Sequence, residues 1–361
     1  PDTFGRTGPL STPRFLHTAT LLRGGTVLIT GGSSIEDGLL SSTEIWAPGR
    51  AVPTTPDDPD HPAILLGTFR PTGSLNHARQ THAATRLPDG RVLITGGVDM
   101  DGRLASAEIY DPTTGTFEPA GDMTVPRLAH ATTLLDDGRV LIVGGSGNPY
   151  IAETEIYDPA TGAFTLTGSM HFGRQFPSLV HLPDGRILVH GAVFGERQPP
   201  EIYDPATGAF ALVDSPAGFR WPALATALED GRILLTGDCC AEDGVSNLGT
   251  AAIYDPSTRA AQPVSPMNEG RIGHQALLLL DGRLLLTGGY AAAEEGAEVR
   301  ASAELFDPAT NTFTLLAPMS DARHWHTMTL LPSGNVLVVG LNSIPYTHDT
   351  ELFAPRSLWS P

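Results

Sequence analysis

The chain alternates between short apolar runs and turn signals along its whole length, and the pattern repeats at roughly 50 residues. One unit reads Arg-x-x-His, an apolar run, Asp-Gly-Arg, a second apolar run that ends in Gly-Gly, a variable loop, Glu-Ile-Tyr-Asp-Pro and Thr-Gly-x-Phe. A glycine follows each repeat arginine at a constant offset of 17 residues, in the pairs Arg14–Gly31, Arg79–Gly96, Arg127–Gly144, Arg174–Gly191, Arg220–Gly237, Arg271–Gly288 and Arg323–Gly340.

Each repeat predicts four strands. In the third repeat the first apolar run is His130–Leu135. The second is Arg139–Val143, after an Asp137-Gly138 turn in which glycine supplies the positive φ of a hairpin. The third strand is Glu155–Tyr157 and the fourth ends at Phe164. Seven such units predict an all-β fold, a seven-bladed β-propeller with four-stranded blades.

The two ends of the chain complement each other. Asp2-Thr3-Phe4 matches a fourth strand, whereas the last repeat stops at a third strand, Glu351-Leu352-Phe353. We expect the N-terminal strand to complete the seventh blade, because ring closure removes the exposed sheet edges. Leu358-Trp359 is an alternative candidate for this strand.

We expect one domain that covers residues 1–361, with blade seven formed by residues 1–5 together with 323–355. Blade one carries an insertion, about residues 48–66, between its third and fourth strands. A proline-rich acidic segment of this length usually covers something or is disordered.

Composition excludes several classes of protein. The net charge is -18 and no lysine occurs, which argues against nucleic acid or anionic membranes as partners. No apolar run approaches the ~18 residues of a membrane helix. The two cysteines, Cys239 and Cys240, are adjacent and cannot form a long-range disulfide. The first ten residues lack the pattern of a signal peptide.

The repeats resemble kelch repeats, since a double glycine closes the second strand and aromatic residues stand in the third and fourth. The Arg-x-x-His and Asp-Gly-Arg-Val-Leu segments are similar to those of bacterial kelch proteins and of the propeller domain of galactose oxidase. The resemblance covers essentially the whole chain and implies a kelch-type propeller. With the acidic composition, it leads us to expect an exported or extracellular bacterial protein, although a cytoplasmic location stays open.

Five repeats carry a histidine three residues after the arginine, namely His17, His82, His130, His274 and His326. Innermost strands surround the channel of a propeller, so these side chains could converge at its mouth. Neutral imidazole is the commonest metal ligand, and three or more could hold one copper, iron or zinc ion. The alternative is that each histidine packs between blades and bonds to a neighbouring strand.

The resemblance to galactose oxidases implies a copper site built on an Arg-x-Tyr-His segment and a cysteine-linked tyrosine. Here the segment is Arg323-His324-Trp325-His326, so His326 matches the histidine but Trp325 replaces the tyrosine. No cysteine stands at the corresponding first-blade position. We also expect no counterpart of the C-terminal domain that supplies a further ligand in that family. We therefore expect that tyrosyl-radical alcohol oxidation does not occur in this protein.

The seven repeat arginines favour a structural role. Glutamates in six of the third strands are natural partners, and a guanidinium could bridge neighbouring blades with bidentate geometry. Anion binding is the alternative. These glutamates are Glu44, Glu108, Glu155, Glu201, Glu304 and Glu351.

Departures from the repeat indicate where a ligand could bind. Strand one starts and strand two ends on the same face, which we call the top face, and blades four, five and seven carry most of its irregular residues. Polar groups beside aromatic rings suit sugars and small polar ligands, although single exposed aromatics are also common on any surface. The candidate ligand-binding residues are Phe194, Arg220, Trp221, Cys239, His324, Trp325 and Tyr346.

These features support three hypotheses. The first is a monomeric binding module whose top face and channel mouth take a carbohydrate, a small molecule or a partner protein. The second is a metal-dependent oxidoreductase or lyase that uses the histidine cluster. The third is a structural domain of a secreted complex. No nucleophile elbow, phosphate loop or zinc motif occurs in the sequence.

Overall fold

A computed structural model describes residues 2–49, 51–52, 64–191, 198–213, 224–237, 249–293, 296–340 and 348–356. Its regular elements are strands, and they form seven four-stranded antiparallel sheets. The predicted all-β, seven-bladed propeller is therefore confirmed. Among the described residues, no helix is long and apolar enough to cross a membrane.

The strands of each blade are numbered from the channel outwards, and blade one comes first in the chain. The innermost strands are Thr18–Leu21, Ala83–Arg86, Ala131–Leu134, Ser178–His181, Leu224–Ala227, Gln275–Leu278 and Thr327–Leu330. The second strands are Val27–Thr30, Val92–Thr95, Val140–Val143, Ile187–His190, Ile233–Thr236, Leu284–Thr287 and Val336–Val339. The third strands are Thr43–Ala47, Ser106–Asp111, Thr154–Asp158, Glu201–Asp204, Ala251–Asp255, Ala303–Asp307 and Glu351–Ala354. The outermost strands are Thr68–Pro71, Thr116–Asp122, Ala163–Leu166, Ala209–Leu212, Ala260–Pro263, Thr312–Leu315 and Thr3–Arg6.

The N-terminal strand closes the ring. Thr3–Arg6 pairs antiparallel with Glu351–Ala354, and Phe4 lies opposite Phe353 with ring centroids 5.0 Å apart. The innermost strands of blades one and seven are also neighbours, so the seven blades form a closed circle. The prediction that the N-terminal strand completes blade seven is confirmed, and the strand extends two residues further than Phe4.

Short hairpins decorate the ring. Ser33–Ser34 pairs with Gly38–Leu39 in blade one, and Tyr290–Ala293 pairs with Gly296–Val299 in blade six. Within the predicted insertion of blade one, Ala51–Val52 pairs with Ile64–Leu65, and residues 53–63 lie outside the described part.

The apolar core lies between the blades. Each second strand is buried along its whole length, because its alternate side chains contact the two neighbouring blades. In blade one, Val27 and Ile29 pack against blade seven, whereas Leu28 packs against blade two. This arrangement explains why the second apolar run of every repeat shows no alternation with polar residues.

Each described repeat arginine holds its own blade together. The constant 17-residue offset has a direct cause: one guanidinium nitrogen donates to the carbonyl oxygen of that glycine, as from Arg79 to Gly96 at 2.8 Å. A second nitrogen donates to the strand-three glutamate of the same blade, here Glu108 at 2.8 Å. The side chains are 0% and 2% exposed. The structural role is supported, but the predicted bridge between blades is wrong, because both partners lie within one blade.

Neighbouring blades are joined by main-chain bonds instead. The N–H of the second glycine in one blade donates to the carbonyl oxygen of the next repeat arginine, as from Gly32 to Arg79 at 2.9 Å and from Gly97 to Arg127 at 2.9 Å. The arginine side chain therefore braces its own blade, while the arginine carbonyl oxygen accepts a hydrogen bond from the preceding blade.

Candidate functional site

The opening of the channel on the top face is built from one repeat position, two residues after the arginine. In six blades this residue has a φ between 49° and 63°. We call these six residues the mouth ring: Leu16, Thr81, Ala129, Phe176, Gly273 and Trp325. Left-handed backbone costs an L-residue roughly 1–2 kcal/mol, and bulky or β-branched residues rarely adopt it. Strain of this kind persists where surrounding structure enforces it, often at ligand sites.

Main-chain hydrogen bonds enforce this backbone across four blades. The N–H of Thr81 donates to Leu16 O at 3.0 Å, that of Ala129 to Thr81 O at 2.9 Å, and that of Phe176 to Ala129 O at 2.7 Å. Each bond joins equivalent residues of adjacent blades. From Leu16 to Phe176 the mouth ring is therefore a continuous frame rather than a set of independent loops.

Two aromatic side chains meet across this frame. Phe176 belongs to blade four and Trp325 to blade seven, yet their ring centroids lie 5.0 Å apart at an interplanar angle of 46°. Because these blades are not neighbours, the contact spans the channel mouth. The two residues remain 40% and 37% exposed. His324 lies edge-on to Trp325 at 6.5 Å and to Tyr290 of the blade-six hairpin at 6.3 Å.

Both rings line a cavity of about 340 Å³ at the channel mouth. Its described lining comes from six blades and contains no aspartate, glutamate or arginine side chain. A cavity without charged side chains is unusual on a chain whose net charge is -18. An uncharged, partly aromatic cavity favours neutral ligands that combine apolar faces with hydroxyl groups.

The five repeat histidines form contacts between blades. Each Nε2 atom lies within hydrogen-bond distance of a threonine hydroxyl in the preceding blade. The pairs are His17–Thr327 at 3.2 Å, His82–Thr18 at 3.0 Å, His130–Thr95 at 2.8 Å, His274–Thr236 at 2.8 Å and His326–Thr287 at 2.7 Å. All five side chains are buried.

The hydrogen bonds of these five histidines bear on the predicted copper, iron or zinc site. In all five residues a threonine hydroxyl already pairs with Nε2, one of the two ring nitrogens that can bind a metal. In the described part of the chain, no group of three or more histidine, cysteine or acidic side chains is placed to hold a metal ion. The geometry favours the blade-to-blade interpretation, and the metal site stays a prediction.

These buried histidines make stability depend on pH. Burial, aided by the charge of Arg271, lowers the pKa of His274 to about 3. In the unfolded chain a histidine takes up a proton near pH 6.5, so between these values the unfolded state binds more protons. Stability is therefore complete above about pH 6.5 and falls as the pH decreases toward 3, by up to roughly 1.4 kcal/mol per pH unit for each such histidine.

We expect His274→Asn to flatten this dependence. Between about pH 6 and pH 4.5, the free energy of unfolding should fall by roughly 1.4 kcal/mol less per pH unit in this variant than in the wild type. Urea titrations at several pH values measure both slopes. His77→Asn, the same change at an exposed histidine, serves as the control. Equal slopes for His274→Asn and the wild type would show that His274 is protonated in the folded state.

The structure brings together two of the predicted ligand-binding residues, His324 and Trp325. The other five, Phe194, Arg220, Trp221, Cys239 and Tyr346, lie outside the described residues and stay predictions. The mouth ring itself was not anticipated, although its constant position beside the repeat histidines was visible in the sequence.

Comparisons with known proteins agree with the fold. Residues 81–124 match the family model for the kelch motif. A solved fungal alcohol oxidase, described as belonging to the AA5 family and in complex with copper, has a TM-score of 0.73 at 16% identity. The match covers 98% of this chain and 76% of that one. No curated protein matches the chain. The chain therefore contains a kelch motif and is a seven-bladed β-propeller, and its likeness to the oxidase is one of fold alone.

Proposed function

We propose that this propeller is a binding module that takes a neutral carbohydrate on its top face, with the rings of Phe176 and Trp325 as the platform. The observation that carries the proposal is their contact across the channel mouth at 5.0 Å while both rings stay exposed. Sugar rings present apolar C–H faces that pack on aromatic side chains, and their hydroxyl groups need polar partners nearby.

Charge supports a neutral ligand rather than an ionic one. The cavity beneath the pair contains no described carboxylate or guanidinium. The ionisable residues in its described lining are four histidines, and burial holds the pKa of each one low. They are His17, His82, His130 and His326. At neutral pH these side chains carry no charge, so a charged ligand would lose hydration without gaining an ion pair.

A neighbouring position suggests how to remove the platform without unfolding the mouth ring. Blade six has Gly273 where blade seven has Trp325, and both have a positive φ. Trp325→Gly therefore keeps the left-handed backbone and removes only the ring. We expect it to weaken binding about tenfold or more, which is ~1.4 kcal/mol.

An array of immobilised neutral and acidic oligosaccharides identifies the ligand, and calorimetry with the best neutral sugar measures the affinity. The matched control is Asn311→Gly, which also removes a side chain from left-handed backbone, with a φ of 57°, but in a turn between outer strands. It should bind like the wild type. Failure of the wild type to bind any sugar, or unchanged affinity in Trp325→Gly, would refute the proposal.

A further inference from the structure

His171 departs from a repeated structural contact in blade four. In blades two and six the same position is asparagine, and Asn76 and Asn268 donate through their side-chain amides to the strand-three glutamates at 2.8 and 2.9 Å. In blade four the Nδ1 atom of His171 lies 2.8 Å from Oε2 of Glu201. Histidine thus reproduces the asparagine bond but adds a second ring nitrogen that asparagine lacks.

Glu201 fixes the orientation of this imidazole. Its carboxylate is fully buried and also accepts a bond from Arg174 at 3.3 Å and one from the His171 N–H at 2.8 Å. A carboxylate paired with arginine can only accept, so Nδ1 of His171 carries the hydrogen and donates it. In the neutral ring the lone pair then belongs to Nε2. The His171 side chain is 48% exposed, and no described residue bonds to Nε2.

The exposed side of His171 borders a cavity of about 810 Å³ between the top-face loops of blades three and four. Its described lining contains no aspartate, glutamate or arginine. Polar uncharged side chains line it together with two aromatic rings, among them Asn148, Tyr150, Phe172 and Gln175. This composition matches the needs of a neutral ligand that is rich in hydroxyl groups.

Close packing of two blades builds the wall of this cavity. The loop that carries Tyr150 lies directly against Gly173, where an added Cβ would stand 2.0 Å from Tyr150 O. Only glycine permits this approach. In blades two and three the residue before the repeat arginine is Ala78 and Pro126, which could not approach the loop as closely.

The cavity is adjacent to the channel mouth. Gln175 lines the cavity beside His171, and the next residue, Phe176, lines the mouth. One short segment of blade four therefore faces both sites. A ligand longer than one sugar ring can contact both without leaving the top face.

We propose that the His171 cavity is a second subsite for the carbohydrate, so that the ligand is an oligosaccharide that extends from the mouth ring over blade four. One hydroxyl group of the sugar donates a hydrogen bond to Nε2 of His171. This inference rests on the proposed function, because the first sugar unit occupies the Phe176–Trp325 platform.

His171→Asn is a sharp test, since blades two and six show that asparagine keeps the bond to the glutamate. Calorimetry is carried out with the longest neutral oligosaccharide that the array identifies and with its terminal monosaccharide. We expect His171→Asn to weaken oligosaccharide binding about tenfold and to leave the monosaccharide unaffected. Trp325→Gly should weaken both. The reciprocal change Asn76→His, in blade two, should alter neither.

A spectroscopic readout separates binding from folding. Long-range proton–nitrogen NMR spectra of the protein labelled with ¹⁵N-histidine should show that His171 carries its hydrogen on Nδ1. Addition of the oligosaccharide should change the chemical shift of Nε2. If sugars bind in a manner that depends on Trp325 while His171→Asn binds the oligosaccharide like the wild type, the second subsite is disproved and the mouth site stands. If no sugar binds the wild type, both fail.

Discussion

Replacing Arg127 with methionine is expected to lower the free energy of unfolding by about 3–5 kcal/mol. Arg127 donates to Glu155 at 2.7 Å, to Gly144 O at 2.8 Å and to Glu153 O at 3.0 Å. The ion pair is fully buried. Burial lowers the pKa of the Arg127 guanidinium, and Glu155 acts in the opposite direction. The substitution leaves a buried carboxylate without its cation, which costs far more than the methionine gains by packing.

Arg91→Met provides the matched control. Arg91 also pairs with an aspartate, Asp89, at 2.7 Å, but the two side chains are 39% and 47% exposed. Solvent-exposed pairs contribute about 1 kcal/mol at most, so this variant should unfold nearly like the wild type. Urea denaturation followed by far-UV circular dichroism gives both values. Similar losses in the two variants would mean that the buried arginines do not brace the blades.

The double variant Arg127→Met with Glu155→Leu identifies the cause of the loss. Removal of both charges should recover part of the stability lost in Arg127→Met, because the unpaired buried carboxylate is gone. The recovery stays incomplete, since Thr124 and Val125 lose the acceptor of their N–H groups. If the double variant is less stable than Arg127→Met, the loss of stability comes from the main-chain hydrogen bonds and not from the unpaired carboxylate.

The second large effect is expected for Gly96→Ala, at about 3 kcal/mol or more. Gly96 has a φ of +56°, and an added Cβ would lie 2.4 Å from Arg127 O and 2.9 Å from Cε1 of His130. Both atoms belong to the next blade. The methyl group therefore meets a rigid main chain in addition to the strain of left-handed backbone.

Gly162→Ala is the control for backbone strain, because this variant adds a methyl group to left-handed backbone without a contact between blades. Gly162 has a φ of +71°, but no atom lies within 4 Å of an added Cβ. Its substitution should cost only the roughly 1–2 kcal/mol of the left-handed conformation. The difference in urea midpoint between the two alanine variants measures the contact. If the two midpoints coincide, the first glycine of the repeat is required only for its φ.

The candidate site was predicted only in part. His324 and Trp325 were identified because they depart from the repeat, and both lie at the channel mouth. The partner of Trp325 was not identified, since Phe176 is distant in the chain and belongs to a non-neighbouring blade. Blade four was identified as irregular, but the bond of His171 to Glu201 was not predicted, because the bond of the equivalent asparagines to the strand-three glutamates is not visible in the sequence.

The sequence determined the number of blades, the strands of each blade and the closing N-terminal strand. These features follow from local rules: apolar runs, glycine turns and the constant arginine–glycine offset repeat seven times, and any one repeat specifies its own hydrogen bonds. The environment of each side chain was decided by the tertiary structure. His326 and Trp325 are neighbours in the chain, yet one is buried against Thr287 and the other is exposed over the channel. The left-handed backbone at Trp325 and the position of the adjacent blade give these two side chains different surroundings. Both of these causes depend on closure of the ring.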